Sequence, residues 1–233
     1  MRAVAVVPTY NELANLEELV DKLRAVTPDL HILIVDDNSP DGTGRLADEL
    51  RRKHPDQIFV LHRQSKEGLG RAYVDGFKLV LEEDYEFILQ MDADLSHDPA
   101  HVPQFLDQIQ NYDLIVGSRY LNGISVVNWD LKRLIMSKMA TKYVRIVTGI
   151  PITDATSGFN CWRREALEAV GFEDAFSSGY VFLVEMKYKA YRKGLKVGEV
   201  PIIFVERKQG NSKLDWGVIW EAIWGVLKLR LKH

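Results

Sequence analysis

Five consecutive small or β-branched apolar residues, Ala3-Val4-Ala5-Val6-Val7, open the chain and stop at Pro8. A run this short with no polar alternation reads as a strand buried on both faces, which commits the chain to a sheet covered by helices on each side. Leu13, Leu16, Leu19, Val20 and Leu23 follow at three- and four-residue spacing and predict a helix. The alternation repeats. Ile32 to Val35 predicts a second strand, Gly42 to Lys53 a helix, Ile58 to Leu61 a third strand, Ala72 to Leu81 a helix, and Phe87 to Met91 a fourth strand. A helix from near Pro99 and a strand from Asp113 to Val116 complete this half. Strand-helix alternation implies right-handed crossovers and a mainly parallel α/β sheet.

Ligands on such sheets bind beyond the carboxyl ends of the strands. Polar clusters lie at three of those ends: Thr9-Tyr10-Asn11-Glu12, Asp36 to Asp41, and Asp92-Ala93-Asp94. Two carboxylates one residue apart after a buried strand can both reach a hard divalent cation if the backbone turns there, with phosphate and water completing its shell. Taken alone, such a pair is more often a solvated turn, with Asp98 capping the helix at Pro99; the two other acidic clusters favour the cation. Asp36 and Asp37 suit the hydroxyls or base of a nucleotide, although Ser39 or Asp41 would also cap the next helix. The turn Lys66-Glu67-Gly68-Leu69-Gly70-Arg71 has the look of a phosphate-cradling loop but matches no full phosphate-binding pattern.

Beyond residue 120 the pattern is less regular. Helices are predicted over Leu131 to Val147, Val181 to Lys193 and from Val218, a strand over Lys196 to Val205, and a loop over Asp154 to Phe159. With no repeat or linker, the economical reading is one domain over 1–233, with 1–120 handling nucleotide and metal and 121–233 the acceptor. A formal charge of -3 offers no basic field for nucleic acid, and the single Cys161 excludes an internal disulfide or a multi-cysteine zinc site. The N-terminal apolar run is too short for a secretory signal, and no stretch reaches the roughly 20 apolar residues that span a bilayer.

Val7-Pro8-Thr9-Tyr10-Asn11-Glu12, Val35 to Thr43, Met91 to His97, Gly117-Ser118-Arg119-Tyr120, Asp154 to Phe159 and Gly210-Asn211-Ser212-Lys213 occur in this order. Together they resemble the catalytic domain of the dolichyl-phosphate (polyprenyl-phosphate) mannose synthases, family 2 glycosyltransferases with a Rossmann-like GT-A fold. The resemblance covers residues 2 to 230. It implies that Pro8, Tyr10, Glu12, Val35 and Asp37 receive the guanosine of GDP-mannose, that Asp92 and Asp94 coordinate Mg²⁺ or Mn²⁺, and that Ala93 and Leu95 lie beside the donor. It further implies that Arg119 contacts phosphate, that Arg133 and Ser137 hold the acceptor phosphate, and that Arg207 and Lys213 close over the donor. Ser96 stands where the family often has Gln, which leaves the third protein ligand to a hydroxyl or to water.

The implied reaction transfers mannose to a polyprenyl (dolichyl) monophosphate with inversion. Asp94, Arg119 and Arg133 are its expected catalytic groups. Alternatives are another donor, such as UDP-glucose, or a non-catalytic nucleotide-sugar-binding module. Because the acceptor's tail stays in a bilayer, the resemblance implies peripheral docking on the cytoplasmic face of a membrane, by itself or with a separate anchoring subunit. Two amphipathic interfacial helices suit this. One is Leu131 to Val147, with five basic residues and Trp129 just ahead; the other bears Trp216, Ile219, Trp220, Ile223, Trp224 and Leu227 on one face. Either would serve equally as a core helix by periodicity alone.

Overall fold

The computed structural model describes residues 2–177, 179, 181–205 and 216–232, with only the helical backbone given for 216–222 and 232. Its centre is a seven-stranded sheet ordered β3-β2-β1-β4-β7-β5-β8. The strands are β1 (Ala3–Thr9), β2 (His31–Asp36), β3 (Ile58–His62), β4 (Phe87–Gln90), β5 (Leu114–Ser118), β7 (Asn160–Arg163) and β8 (Val197–Pro201). All neighbours pair in parallel except β7, which runs antiparallel to both β4 and β5. Two-residue strands β6 (Val126–Val127) and β9 (Phe204–Val205) form a separate parallel pair.

Period-two alternation divides the sheet's side chains between two cores. Val4, Val6, Leu33, Val35 and Ile88 enter one, with Ala72, Tyr73 and Phe77 of α3 (Leu69–Leu81) and Phe182 and Met186 of α7 (Val181–Arg192). Ala5, Val7, Ile32, Ile34 and Leu89 enter the other, with α1 (Leu16–Val26), α2 (Thr43–Lys53) and α4 (Val102–Gln108). Each fully buried Val, Leu or Phe contributes about 1.5–3 kcal/mol, so burial on both faces makes the strands unbroken apolar runs. α3 approaches the sheet closely at Gly76, where a Cβ would meet Val6 Cγ1 at 2.7 Å.

Several boundaries differ from the sequence reading. The first helix begins at Leu16, and Leu13 stays outside it, 44% exposed. The third begins at Leu69, with Gly68 before it at φ +100°. Gly70 does not serve as a phosphate cradle: a Cβ there would lie 2.9 Å from Phe182 and from the Ser177 carbonyl, so its bareness lets α3 pack on α7. The helix near Pro99 starts as a 3-10 turn, Pro99–His101, capped by Asp98 through the Ala100 amide. The expected strand from Lys196 to Val205 splits into β8 and β9, because the chain leaves the sheet after Pro201. Strand β7 has no counterpart in the sequence reading: polar Asn160 and Arg163 leave only Cys161 and Trp162 as an apolar pair, both fully buried.

Helices α5 (Leu131–Thr148) and α8 (Trp216–Lys232) lie together, with Tyr143 Oη donating to the Ile223 carbonyl. Asp130 caps α5 by accepting from the Arg133 amide at 2.6 Å, and Gly149 ends it at φ +75°. No helix among the described residues is long and apolar enough to cross a membrane.

Candidate active site

The carboxyl ends of β2, β1 and β4 are adjacent, with Thr9 in register with Asp36 and Val6 with Gln90. Residues following these strands therefore line one edge of the sheet. After β4 the backbone turns through Leu95, which adopts φ +61°, and Asp94 Oδ1 accepts from the Ser96 amide at 3.0 Å. A leucine held in the left-handed region is strained and needs its surroundings to keep it there. The Asp92 carboxylate is 27% exposed, whereas Asp94 is buried at 4%.

His97, which the sequence reading gave no role, supports this turn. Its Nδ1 accepts from the Asp92 amide at 3.0 Å, which leaves the proton of the neutral ring on Nε2, 4.0 Å from Asp92 Oδ2. The ring stacks on Phe159, and burial lowers its pKa against the pull of Asp92 and Asp94. Gly158 abuts the carboxylate from the other side: a Cβ there would sit 3.6 Å from both Asp92 oxygens. The Tyr73 hydroxyl is fully buried, without a hydrogen-bond partner among the described residues, and its pKa is raised by burial and then by Asp92 and Asp94.

Just past β2, Asp37 is buried against Arg63, whose Nη1 lies 2.5 Å from Oδ1. Burial raises the Asp37 carboxyl despite that partner. Arg63, itself 6% exposed, also donates to Asp75 at 2.8 Å and holds Glu67. A single arginine after a strand carries no sequence signal, and it went unnoticed. Lys66 Nζ sits 3.9 Å over the Tyr10 ring. Asp36 is taken up structurally, accepting from Thr9 Oγ1, the Ser39 amide and Ser39 Oγ. Asp41 accepts from both the amide and hydroxyl of Thr43 at the start of α2. Glu12 accepts from Asn15 Nδ2 at 2.9 Å. Pro8 is half-buried on β1. Val35 and Ala93 are buried at 0% and 3%, so any ligand contact at either would use backbone.

Across the sheet, Arg119 ends β5 in a buried bidentate pair with Asp154, Nε to Oδ2 at 2.6 Å and Nη2 to Oδ1 at 2.7 Å. Nη2 also donates to Thr156 Oγ1 at 2.8 Å. The Arg119 guanidinium lies 5.5 Å from the Trp129 ring centre, and that of Arg133 lies 4.5 Å from the same ring. One indole thus gathers two arginines that the sequence separates by a turn and a strand. The Trp129 Nε1 proton is buried with no acceptor among the described residues. Ser137 Oγ accepts from Tyr120 Oη at 2.7 Å, which joins α5 to the segment after β5. Arg207 and Lys213 lie outside the described residues.

A divalent cation fits the residues present. Asp92 and Asp94 offer hard oxygens on one turn, and the Ser96 hydroxyl beside them is buried without a hydrogen-bond partner among the described residues. No cluster of three His, Cys, Asp or Glu able to hold a metal occurs among the described residues. Such an ion would draw its remaining ligands from phosphate and water.

The profile of "Glycosyl transferase family 2" matches residues 4–171, which spans both the nucleotide edge and the Arg119–Asp154 pair. The chain belongs to that family. Over 231 residues it is 44% identical to the polyprenol monophosphomannose synthase of Mycolicibacterium smegmatis, covering 97% of this chain and 87% of that one. It is 41% identical over 228 residues to the undecaprenyl-phosphate mannosyltransferase of Micrococcus luteus, covering 98% and 93%. Among solved structures, glucosyl-3-phosphoglycerate synthase from Mycobacterium tuberculosis, in complex with Mn²⁺ and uridine-diphosphate-glucose, superposes with a TM-score of 0.69 at 15% identity. The match covers 99% of this chain and 78% of that one. For this family member that likeness shows the shared GT-A-like fold.

Proposed function

We propose that this glycosyltransferase moves mannose from GDP-mannose to a polyprenyl (dolichyl) monophosphate, releasing GDP and forming a β-linked mannolipid. The observation that carries the reading is the pairing of Arg119 and Arg133 on Trp129, with Arg119 in electrostatic reach of Asp92. Two relatives matched over nearly the whole chain and named as polyprenyl-phosphate mannose enzymes support the same acceptor and sugar.

The acceptor is a phosphate monoester, anionic near neutral pH, so its oxygen needs no side chain to remove a proton before attack. The chain's task is alignment and charge compensation. Arg119 and Arg133 offset the repulsion between acceptor and donor phosphates, and Asp154 holds the Arg119 fork in one orientation. Tyr10 and Asp37 lie where the nucleoside is held. Acceptor oxygen attacks the anomeric carbon as its bond to the diphosphate oxygen breaks; one displacement inverts that centre. Asp92 and Asp94, with Ser96 beside them, would hold Mg²⁺ or Mn²⁺, which supplies charge neutralisation for the departing diphosphate.

Docking on a lipid surface is part of this reading. Leu131, Ile135, Met139 and Ile146 point outward from α5 at 70, 49, 65 and 72% exposure, while Thr141, Val144 and Thr148 face inward. On α8, Val226 and Leu229 are buried, and Trp224 is 66% exposed. The residues that α8 buries are thus not those of the expected face, of which Ile223 and Leu227 are half-buried and Trp224 is exposed; the side chains of Trp216, Ile219 and Trp220 lie outside the described residues. Exposed apolar side chains interleaved with Lys132, Lys138, Lys142 and Arg145 suit an anionic bilayer surface. The test incubates the purified chain with vesicles containing polyprenyl phosphate, Mg²⁺ or Mn²⁺, and labelled GDP-mannose or UDP-glucose. Labelled mannolipid with the first donor is expected; product only with the second, or none, would overturn the assignment.

A further inference from the structure

Helix α7 buries an ammonium group that the transfer chemistry does not use. Lys187 is 1% exposed, and its Nζ donates to the Ser157 carbonyl at 2.6 Å and the Leu183 carbonyl at 3.2 Å. No carboxylate forms an ion pair with it among the described residues, although a lone buried cation is costly. A bare methylene chain would fill the space without that cost.

Ser157 belongs to the loop between α5 and β7, and two of that loop's other attachments reach the site. Asp154 grips Arg119, and Gly158 abuts the Asp92 carboxylate. From β8, Glu199 accepts from the Thr153 amide and hydroxyl and from the Asp154 amide. Lys187 supplies the fastening on the remaining side. Behind it, a cavity of about 530 Å³ lined by Ile150, Pro151, Tyr191 and Val197 reaches both Lys187 and Glu199.

We propose that Lys187 is a positioning residue, anchoring the Asp154–Phe159 loop to α7 and thereby fixing where Arg119 and Asp92 stand. The inference rests on the transfer reading of this site. Charges facing Lys187 are Asp154 from the loop, Arg119 from β5 and Glu199 from β8. On its own helix, Glu185 is occupied by Ser177 and Phe176, and Lys189 by the Gly171 carbonyl. Burial pushes the Lys187 ammonium down to about 7 against the opposing pull of Asp154, so its strongest donor form is lost as pH rises through that value.

The test compares the full-length wild type with Lys187→Met over about pH 5.5 to 9. Loss of the anchor is expected to lower kcat on the order of ten- to a hundred-fold, with KM for both substrates little changed. The wild-type alkaline limb near neutrality should vanish in the variant. A lysine that only stabilises the fold would lower the melting temperature and leave kcat and the profile's shape intact, which overturns the proposal. Should Lys187→Met not fold, Glu199→Gln should move the wild-type limb to lower pH, since it removes a charge that favours the ammonium; an unmoved limb counts against Lys187. A wild type that transfers nothing sinks the transfer reading instead. Lysine-selective NMR of the wild type then decides: one resonance titrating near neutrality is expected, and ordinary titration of all of them overturns the assignment.

Discussion

Asp154 and Arg119, 35 residues apart in sequence, meet in a two-bond fork with the carboxylate wholly buried and the guanidinium side chain 10% exposed. Burial by itself would raise the Asp154 carboxyl, yet the guanidinium beside it holds the carboxyl below its usual value; the same pairing raises Arg119. A carboxyl depressed on folding adds stability above its ordinary titration range and loses it as pH falls through the depressed value. Asp154→Asn leaves an uncompensated buried cation and is expected to cost about 3–5 kcal/mol, measured by urea denaturation at neutral pH. Its deficit should shrink as pH falls below the ordinary carboxylate range and through the depressed value of Asp154, where the wild type loses the same stabilisation. A variant within ~0.5 kcal/mol of wild type would show that the pair is not holding the loop.

Asp94→Ala removes the more buried carboxylate of the turn and is expected to reduce mannose transfer about a thousand-fold or more, since metal-assisted charge neutralisation is worth several kcal/mol. Circular dichroism should remain that of the wild type. Turnover within a few-fold of wild type in the presence of Mg²⁺ or Mn²⁺ would remove Asp94 from the reaction.

Arg133→Ala keeps the amide that Asp130 caps but deletes the guanidinium over Trp129. KM for the polyprenyl phosphate is expected to rise roughly ten-fold or more, the value of a charge-assisted hydrogen bond, while GDP affinity stays unchanged by calorimetry. Equal weakening toward donor and acceptor would contradict the acceptor-side placement.

Ile135→Glu with Met139→Glu places two charges on the outward face of α5, both at exposed positions that cost the fold little. Vesicle flotation should show affinity for anionic bilayers falling at least about ten-fold, since each apolar side chain removed from water contributes about 1.5–3 kcal/mol at full burial. Transfer to a short-chain, water-dispersed acceptor should persist. Undiminished flotation would make this face a contact for something other than lipid.

How much of this was legible from residue order follows from range. Helices α1 to α5, α7 and α8 and the parallel strands β1 to β5 were readable because their signals are local, apolar runs of fixed period broken by polar turns, whereas the six-residue helix α6 (Arg164–Ala169) is too short to show a period and β1 continues through Pro8 to Thr9. The carboxylates at the ends of β2 and β4 were readable for the same reason, since they stand directly after buried strands. Strand β7 was not, because polar Asn160 and Arg163 flank its only apolar pair and its place between β4 and β5 depends on partners more than 40 residues away. Arg63, His97 and Lys187 were equally silent: each acts through contacts that close only when separate elements pack, Arg63 on Asp37, His97 on Asp92, Lys187 on the Ser157 carbonyl.

The outward stripe on α5 illustrates the same division. Periodicity made Ile135, Met139 and Ile146 one face, and the sequence by itself settled that such a face exists. Tertiary structure alone decided that it points away from the protein, because the inner side of α5 is already filled by Thr141, Val144 and contact with α8. Amphipathic spacing specifies which residues share a side; only the packing of neighbours determines whether that side meets the core or the surroundings.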